Sequence, residues 1–536
     1  MISFTGAGWR SSVVIGVYAA LLIGCLTLGG GTSAGFLSDT ILQLIAIPVL
    51  LTCLWRLLDV RTSTKPARWQ LLFCLGLALV PLLQLVPLPP LLWTALPNRQ
   101  PLVATFDLLE RDLPWLPISI VPRATWLSAL SLLPPLSVFL GTLLLDYRER
   151  RLMSILVLAI GVVSVFVGLS QVAQGPQSAL RFFEFTNPSE AVGFFANRNH
   201  FAALLYALTL LAAVWVVETA ATLNAERGRA DTAWMLAVAA SLTVLVIFLA
   251  GQAMARSRAG LLLTIVALFG AIALAVTDRR NASGLTPARL ITGAITLAAL
   301  LGVQYALYRI LQRFADDPLQ DARVVFASNT FAAAKAFMPF GSGMGTFAPV
   351  YALFEKPQDA LIDIYANRAH NDMLELMLEA GVAGLGFTII FIAWLATRSV
   401  KVWARPDLRL DEVDISLARA ATLVVGLLIA HSIVDYPLRT GAVMGILAFA
   451  CGLLVEPLRV DVKSSAPYKH ERARRPSARG ESVPAREAIP RPSPRLFPAD
   501  AEPQQGGQRW GEDVKWPTEW RPDPRTPPTR RGKLDT

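Results

Sequence analysis

Apolar residues come in long blocks along this chain, with neither the period of two that marks a strand nor the narrow stripe of a soluble helix. About twelve blocks are long enough, at roughly 20 residues, to cross a hydrocarbon layer as helices. They lie near Val13–Leu28, Phe36–Leu57, Leu71–Leu88, Leu127–Leu145, Leu152–Val172 and Phe195–Val217. Further blocks follow near Trp234–Ala250, Ala259–Val276, Leu290–Leu307, Met373–Ala396, Ile415–Ile433 and Thr440–Val455. The pattern predicts an all-α polytopic membrane protein. A composition that is 54% hydrophobic and only 16% charged excludes the soluble classes.

The polar stretches between blocks set orientation. Arg56, Arg61, Lys65 and Arg68 follow the second span, Arg148, Arg150 and Arg151 the fourth, Arg279, Arg280 and Arg289 the eighth, and a cluster from Arg398 to Arg409 the tenth. The opposite loop GGGTSAG carries no charge, and only the Glu218–Asp231 loop, with balanced charges, departs from the trend. The positive-inside rule makes the basic loops and both termini cytoplasmic. The first span ends near the small residues Thr32 and Ala34, as a cleaved signal also would; a retained helix keeps the span count even. Cys25, Cys53, Cys74 and Cys451 lie in apolar runs without metal or disulfide spacing.

Two outer loops are long. In Pro89–Trp126, the spacing of LVATFDLLERDL suits a helix lying on the membrane surface. The larger loop, about 309–371 between spans nine and ten, combines a helical pattern over Ala322–Phe337 with the turn-rich PFGSGMGTF, and predicts an ordered outer domain. Three regions follow: helices 1–5 in residues 1–192, a core with helices 6–12 in 193–455, and a Pro- and Arg-rich tail in 456–536. The tail's composition predicts a disordered cytoplasmic extension. Topology, tail and the arginines below account for the net charge of +10, so no nucleic-acid partner is implied.

On this topology the unusual polar residues meet at the outer face. Asn197, Arg198, Asn199 and His200 come from GFFANRNHFA, Arg256 and Arg258 from ARSRAG, Arg323 and Lys335 from the outer domain, His370 and Asn371 from AHNDMLEL, and His431 and Asp435 from the end of the eleventh span. An arginine within hydrocarbon costs about 2.5–3.5 kcal/mol on insertion scales, so several at one depth should line a wet cavity. The guanidinium fork suits phosphate or diphosphate. His370 has the proton chemistry of a general base. Structural readings stand beside these: Asn371 as an N-cap with Asp372 and Glu375 in the first helical turn, Arg256 and Arg258 as snorkelling anchors, His200 as a polar helix start, and His431 with Asp435 as a helical i,i+4 pair. Gly341, Gly343 and Gly345 fit a plain turn better than a phosphate cradle, since no GK[ST] follows. With no P-loop, no DxD and no outer acidic cage, no metal or cofactor is expected.

These residues resemble the O-antigen ligase family, which includes Wzy-type polysaccharide polymerases. Its ligase pattern of His, then Asn, Ser or Gln, nine residues, and GxxG followed by Thr or Val is similar to His370, Asn371, Gly381 and Gly384, with a departure at Leu385. GFFANRNHFA, ARSRAG and Arg323 leading to PFGSGMGTF resemble the family's other motifs, over about 193–455. The resemblance implies a metal-independent, inverting glycosyl transfer at the outer face of the bacterial inner membrane. The donor would be a glycan on undecaprenyl diphosphate, with apolar grooves for its tail, and the acceptor lipid A-core or a second lipid-linked glycan. His370 would be the base, and Arg258 and Arg323, with Arg198 and Arg256, would hold the diphosphate. Asn371, Asn199, His200, His431, Asp435, Gly381 and Gly384 would support them, the glycines by close packing behind the base. A polymerase and a non-catalytic exporter or flippase are the alternatives.

Overall fold

A helix that is apolar on every side must lie inside a protein or in lipid. In the computed structural model, the helix that opens at Arg198 lies inside. From Phe201 to Val214 each of its residues is at most 2% exposed. The structure describes residues 6–32, 35–58, 67–184, 186–225, 232–278, 319–358, 366–404, 406–407 and 409–458. The helices in chain order are α1 (Gly6–Leu28), α2 (Leu37–Leu58), α3 (Arg68–Gln84), α4 (Pro90–Trp93), α5 (Gln100–Leu108), α6 (Pro122–Ser131), α7 (Leu133–Leu144), α8 (Tyr147–Gln174) and α9 (Arg198–Ala225). Then come α10 (Thr232–Ala255), α11 (Arg258–Thr277), α12 (Leu319–Phe337), α13 (Phe347–Phe354), α14 (Asp372–Ala404), α15 (Glu412–His431), a 3₁₀ turn at Pro437–Arg439 and α16 (Gly441–Leu453). The central α9 touches α8, α10, α11, α15 and α16.

Eight helices among the described residues are long and apolar enough to cross a membrane: α2, the run Pro122–Leu144, α8, α9, α10, α11, α14 and α15. Three expected spans correspond to shorter apolar helices, Val14–Leu28, Arg68–Gln84 and Gly441–Leu453, and the expected ninth, Leu290–Leu307, lies outside the described residues. Among the described residues, the basic groups that follow the fourth and tenth expected spans gather at one end of the bundle. There Arg151 pairs with Asp411 and Asp414, while Arg150 and Arg398 donate to the carbonyls of Val455 and Leu454. At the other end Ala442 N donates to Gly29 O at 2.9 Å and Ala196 N to Gly30 O at 3.0 Å.

The expected surface helix in LVATFDLLERDL is α5, which buries no residue. Among the described residues of the segment expected to lie outside, α12 and α13 form a small core of Phe326, Phe337, Phe347 and Tyr351 against Leu378 of α14. Its glycine turn is structural. α14 breaks at Gly381, whose φ of 57° is left-handed. The carbonyls freed by the break need donors, because unsatisfied backbone groups in an apolar setting cost several kcal/mol. Ser342 N reaches Leu378 O at 2.9 Å, Gly343 N reaches Glu379 O at 3.0 Å, and Gln84 Nε2 reaches the same Glu379 O at 2.9 Å. In return Val382 N donates to Pro339 O at 2.9 Å. The expected role of Gly381 and Gly384 in close packing is therefore sharpened: at Gly381 the neighbour is the outer turn, and a Cβ there would sit 2.7 Å from the Pro339 carbonyl carbon.

Gly381→Ala is expected to lower stability by roughly 2 kcal/mol or more, from left-handed strain plus the collision. Gly386→Ala, with nothing within 4 Å of its Cβ, should melt at or slightly above the wild-type temperature. Thermal unfolding of the two purified variants checks this; equal melting temperatures would remove the break's structural role.

Candidate active site

The N-terminal ends of α9 and α14 and the chain leaving α15 meet at the end of the bundle opposite the basic loops. Asn371 caps α14: its Oδ1 accepts from Met373 N and Leu374 N, both at 3.0 Å, and its Nδ2 donates to Ile433 O at 2.8 Å. The cap holds His370 at the mouth with a φ of 51°. His370 Nδ1 lies 3.2 Å from Asp435 Oδ1. The other Asp435 oxygen accepts from Asn199 Nδ2 at 2.5 Å, and Tyr436 N donates to Oδ1 at 2.9 Å. Asp435 is 1% exposed and His370 21%. A buried carboxylate on Nδ1 fixes the tautomer that leaves Nε2 as the basic nitrogen.

Burial opposes ionisation of Asp435, but the His370 hydrogen bond and the imidazoles of His200, His370 and His431 outweigh it and hold the carboxyl below the usual aspartate range. The chain has four histidines, so three of them surround this one carboxylate. Tyr436 stands between two, its ring 4.8 Å from His200 and 4.9 Å from His370, both edge-on. Burial, with Asp435 beside it, pushes the Tyr436 phenol up to about 12. Phe326 of α12 stacks at 6.1 Å on the other side of His370.

The expected i,i+4 pair of His431 and Asp435 does not form on a helix. α15 stops at His431, so Asp435 lies in the following turn and faces His370 and Asn199, while His431 Nδ1 meets Tyr206 OH at 3.2 Å. His200 is fully buried. Arg323 reaches the same turn, with Nη1 3.4 Å from Val434 O. Arg198 is ion-paired with Glu190. Arg256, exposed at φ 50°, and Arg258, half-buried, flank Ser257, whose side chain caps α11. Ala191 N donates to Met254 O at 3.2 Å, tying the Glu190 loop to this α10–α11 turn. Lys335 lies over the Phe331 ring at 5.0 Å, away from these contacts.

A buried charge network beneath His370 was not expected. Asp372, Glu375 and Glu379, at i, i+3 and i+7 on α14, face Arg439: Nε lies 3.3 Å from Asp372, and Nη1 lies 3.4 Å from Glu375 and 2.7 Å from Glu379. Arg368 Nη1 adds a bond to Glu375 at 2.9 Å. Burial works against the Arg439 charge, yet the three carboxylates more than offset it and raise its pKa. Asp372 and Glu375 thus do more than complement a helix dipole. The sequence signal was three acids on one face of an apolar helix, which calls for a cationic partner.

Residues 243–389 match the sequence profile of the O-antigen ligase family. That segment, rather than the whole chain, is similar to the O-antigen ligase family. The matched segment holds Arg256, Arg258, Arg323, His370, Asn371, Gly381 and Gly384, and stops short of Asp435 and Arg439, which the fold brings to it. No curated protein sequence matches the chain. The apolar helices are those of a multi-pass membrane protein, and the matched segment is similar to ligase- and polymerase-type domains.

Because the Asp435 pKa is depressed by folding, its contribution to stability is complete above the unfolded aspartate value of about 3.9 and is lost only as pH falls through the lower folded value. Asp435→Asn should therefore lower the melting temperature at about pH 5.5 as well as at about pH 8. A deficit that vanishes at the lower pH contradicts an ionised, network-held Asp435.

Proposed function

We propose that the protein is a metal-independent, inverting glycosyltransferase of the O-antigen ligase type, acting at the periplasmic face of the bacterial inner membrane. The observation that carries this reading is the His370–Asp435 pair at the polar mouth of the bundle, with His370 inside the ligase-family segment. The basic groups described at the opposite end support that side.

The donor is a glycan on undecaprenyl diphosphate and the acceptor a hydroxyl of lipid A-core or a similar glycan. With Nδ1–H held by Asp435, His370 Nε2 takes the proton of the acceptor hydroxyl as its oxygen attacks the anomeric carbon. The bond from that carbon to the diphosphate oxygen breaks, and undecaprenyl diphosphate leaves with the electron pair. Arg258 and Arg323, joined by Arg256 and by Arg198 once it leaves Glu190, bind the diphosphate and stabilise the charge developing on it.

An apolar groove of ≈ 340 Å³ between α3, α7, α14 and α16, lined by Phe73, Leu77, Phe139, Phe391 and Met444, suits part of the lipid tail. It lies beyond the Gly381 break from His370, so it serves the distal isoprene units. Leu385, where the ligase pattern has Thr or Val, weakens the assignment to ligase over the polymerase variant, whose acceptor is a second lipid-linked repeat with the same chemistry. A transporter would place polar groups near the midplane; here they sit at one end.

Reconstitution with a defined undecaprenyl-diphosphate oligosaccharide in the presence of EDTA should release undecaprenyl diphosphate and join the glycan to lipid A-core. Joining only to further donor assigns the polymerase. Translocation of intact donor with no new bond under either acceptor overturns the enzyme reading. Arg258→Gln and Arg323→Gln should each cut kcat/KM for donor by about 10²-fold.

A further inference from the structure

We propose that Arg439, clasped by the carboxylates of α14, is a positioning residue that sets the turn 432–439 so that Asp435 meets His370; the inference rests on the catalytic reading above. Two chain segments must be brought into register for the pair to form, and both are tied to the same two turns of α14. On the histidine side, Glu375 Oε2 accepts from Ala369 N at 3.0 Å and Oε1 from Arg368 at 2.9 Å. Arg368 in turn donates to Thr32 O at 3.4 Å, which anchors the segment to the end of α1.

On the aspartate side, Asp372 N donates to Ser432 O at 2.9 Å, Ser432 Oγ donates to Asp372 Oδ2 at 2.8 Å, and Leu438 N donates to the same oxygen at 3.2 Å. Arg439 closes the turn by spanning Asp372, Glu375 and Glu379. The turn is thus fixed at its start, at residue 432, and at its end, at residues 438 and 439. Asp435 lies midway and makes no bond to α14 of its own.

Buried charges hold geometry more sharply than apolar contacts, because a displaced partner leaves a charge unpaired in a low-dielectric setting. Glu379 links this clasp to the helix break: its Oε1 accepts from Phe347 N at 3.2 Å, and its carbonyl is the one received by the glycine turn. The outer segment, which carries Arg323 and Phe326, and the Asp435 turn therefore share one anchor. The side-chain bonds of Arg439 go to Asp372, Glu375 and Glu379, so its effect on chemistry runs through the placement of the turn.

The test is a double-mutant cycle on the purified full chain, with transfer from an undecaprenyl-diphosphate oligosaccharide as readout. Arg439→Lys keeps the charge but loses the fork, and Glu379→Gln keeps the bond from Phe347 N while weakening the clasp. If Arg439→Lys fails to elute as a monodisperse protein, Glu379→Gln carries the test. Each is expected to lower kcat by about 10–100-fold, the scale of a misplaced catalytic group, with donor KM within about twofold of wild type. In an Asp435→Asn background the same changes should cost no further loss in kcat. Losses that multiply in that background, or a raised donor KM with kcat unchanged, overturn the inference. Wild-type turnover by Asp435→Asn itself would instead sink the catalytic pair, a distinct failure.

Discussion

The structure of the polar mouth depends on burying three carboxylates of one membrane-crossing helix beside two arginines. Asp372, Glu375 and Glu379 are each nearly or fully buried, and Arg439 and Arg368 are their partners. Removing one member of such a cluster strands the others, typically at about 3–5 kcal/mol, so the cluster holds its loops in one arrangement. Its members come from α14, from the segment before it and from the turn after α15. Those are the segments that carry His370 and Asp435.

A second constraint follows from the first turns of α14. A helix bearing these acids cannot continue straight into the apolar layer and also meet the outer segment, and Gly381 breaks it. The break exposes carbonyls at Leu378 and Glu379, which the Gly341–Gly343 turn and Gln84 satisfy. Close approach there needs glycine, since a Cβ on Gly341 would lie 2.5 Å from the Glu379 carbonyl oxygen. The spacing from His370 to Gly381 thus ends in a packing requirement at Gly381, and in the proposed mechanism it starts from a chemical one at His370.

Much of this was legible in the sequence. Apolar runs located the helices because span length is fixed by the hydrocarbon thickness, but they did not mark α9 as central, since α10 and α11 are more apolar and less buried. Asn371 was readable as a cap and PFGSGMGTF as a turn, since both rest on local backbone rules. What escaped were partners distant in sequence: Arg439 for Glu379, Gln84 for the glycine turn, and Asp435 for His370 rather than His431. The helical spacing of His431 and Asp435 misled because α15 ends at His431, a boundary that no residue nearby announces.

The account's central claim is that His370, oriented by Asp435, removes the acceptor proton while other groups hold the donor. The most direct measurement compares donor binding and single-turnover transfer for wild type and His370→Ala in the same reconstituted sample, using an undecaprenyl-diphosphate oligosaccharide. Donor affinity unchanged, with transfer slowed by about 10²–10⁴-fold, is the predicted result. Transfer at the wild-type rate by the variant would contradict it.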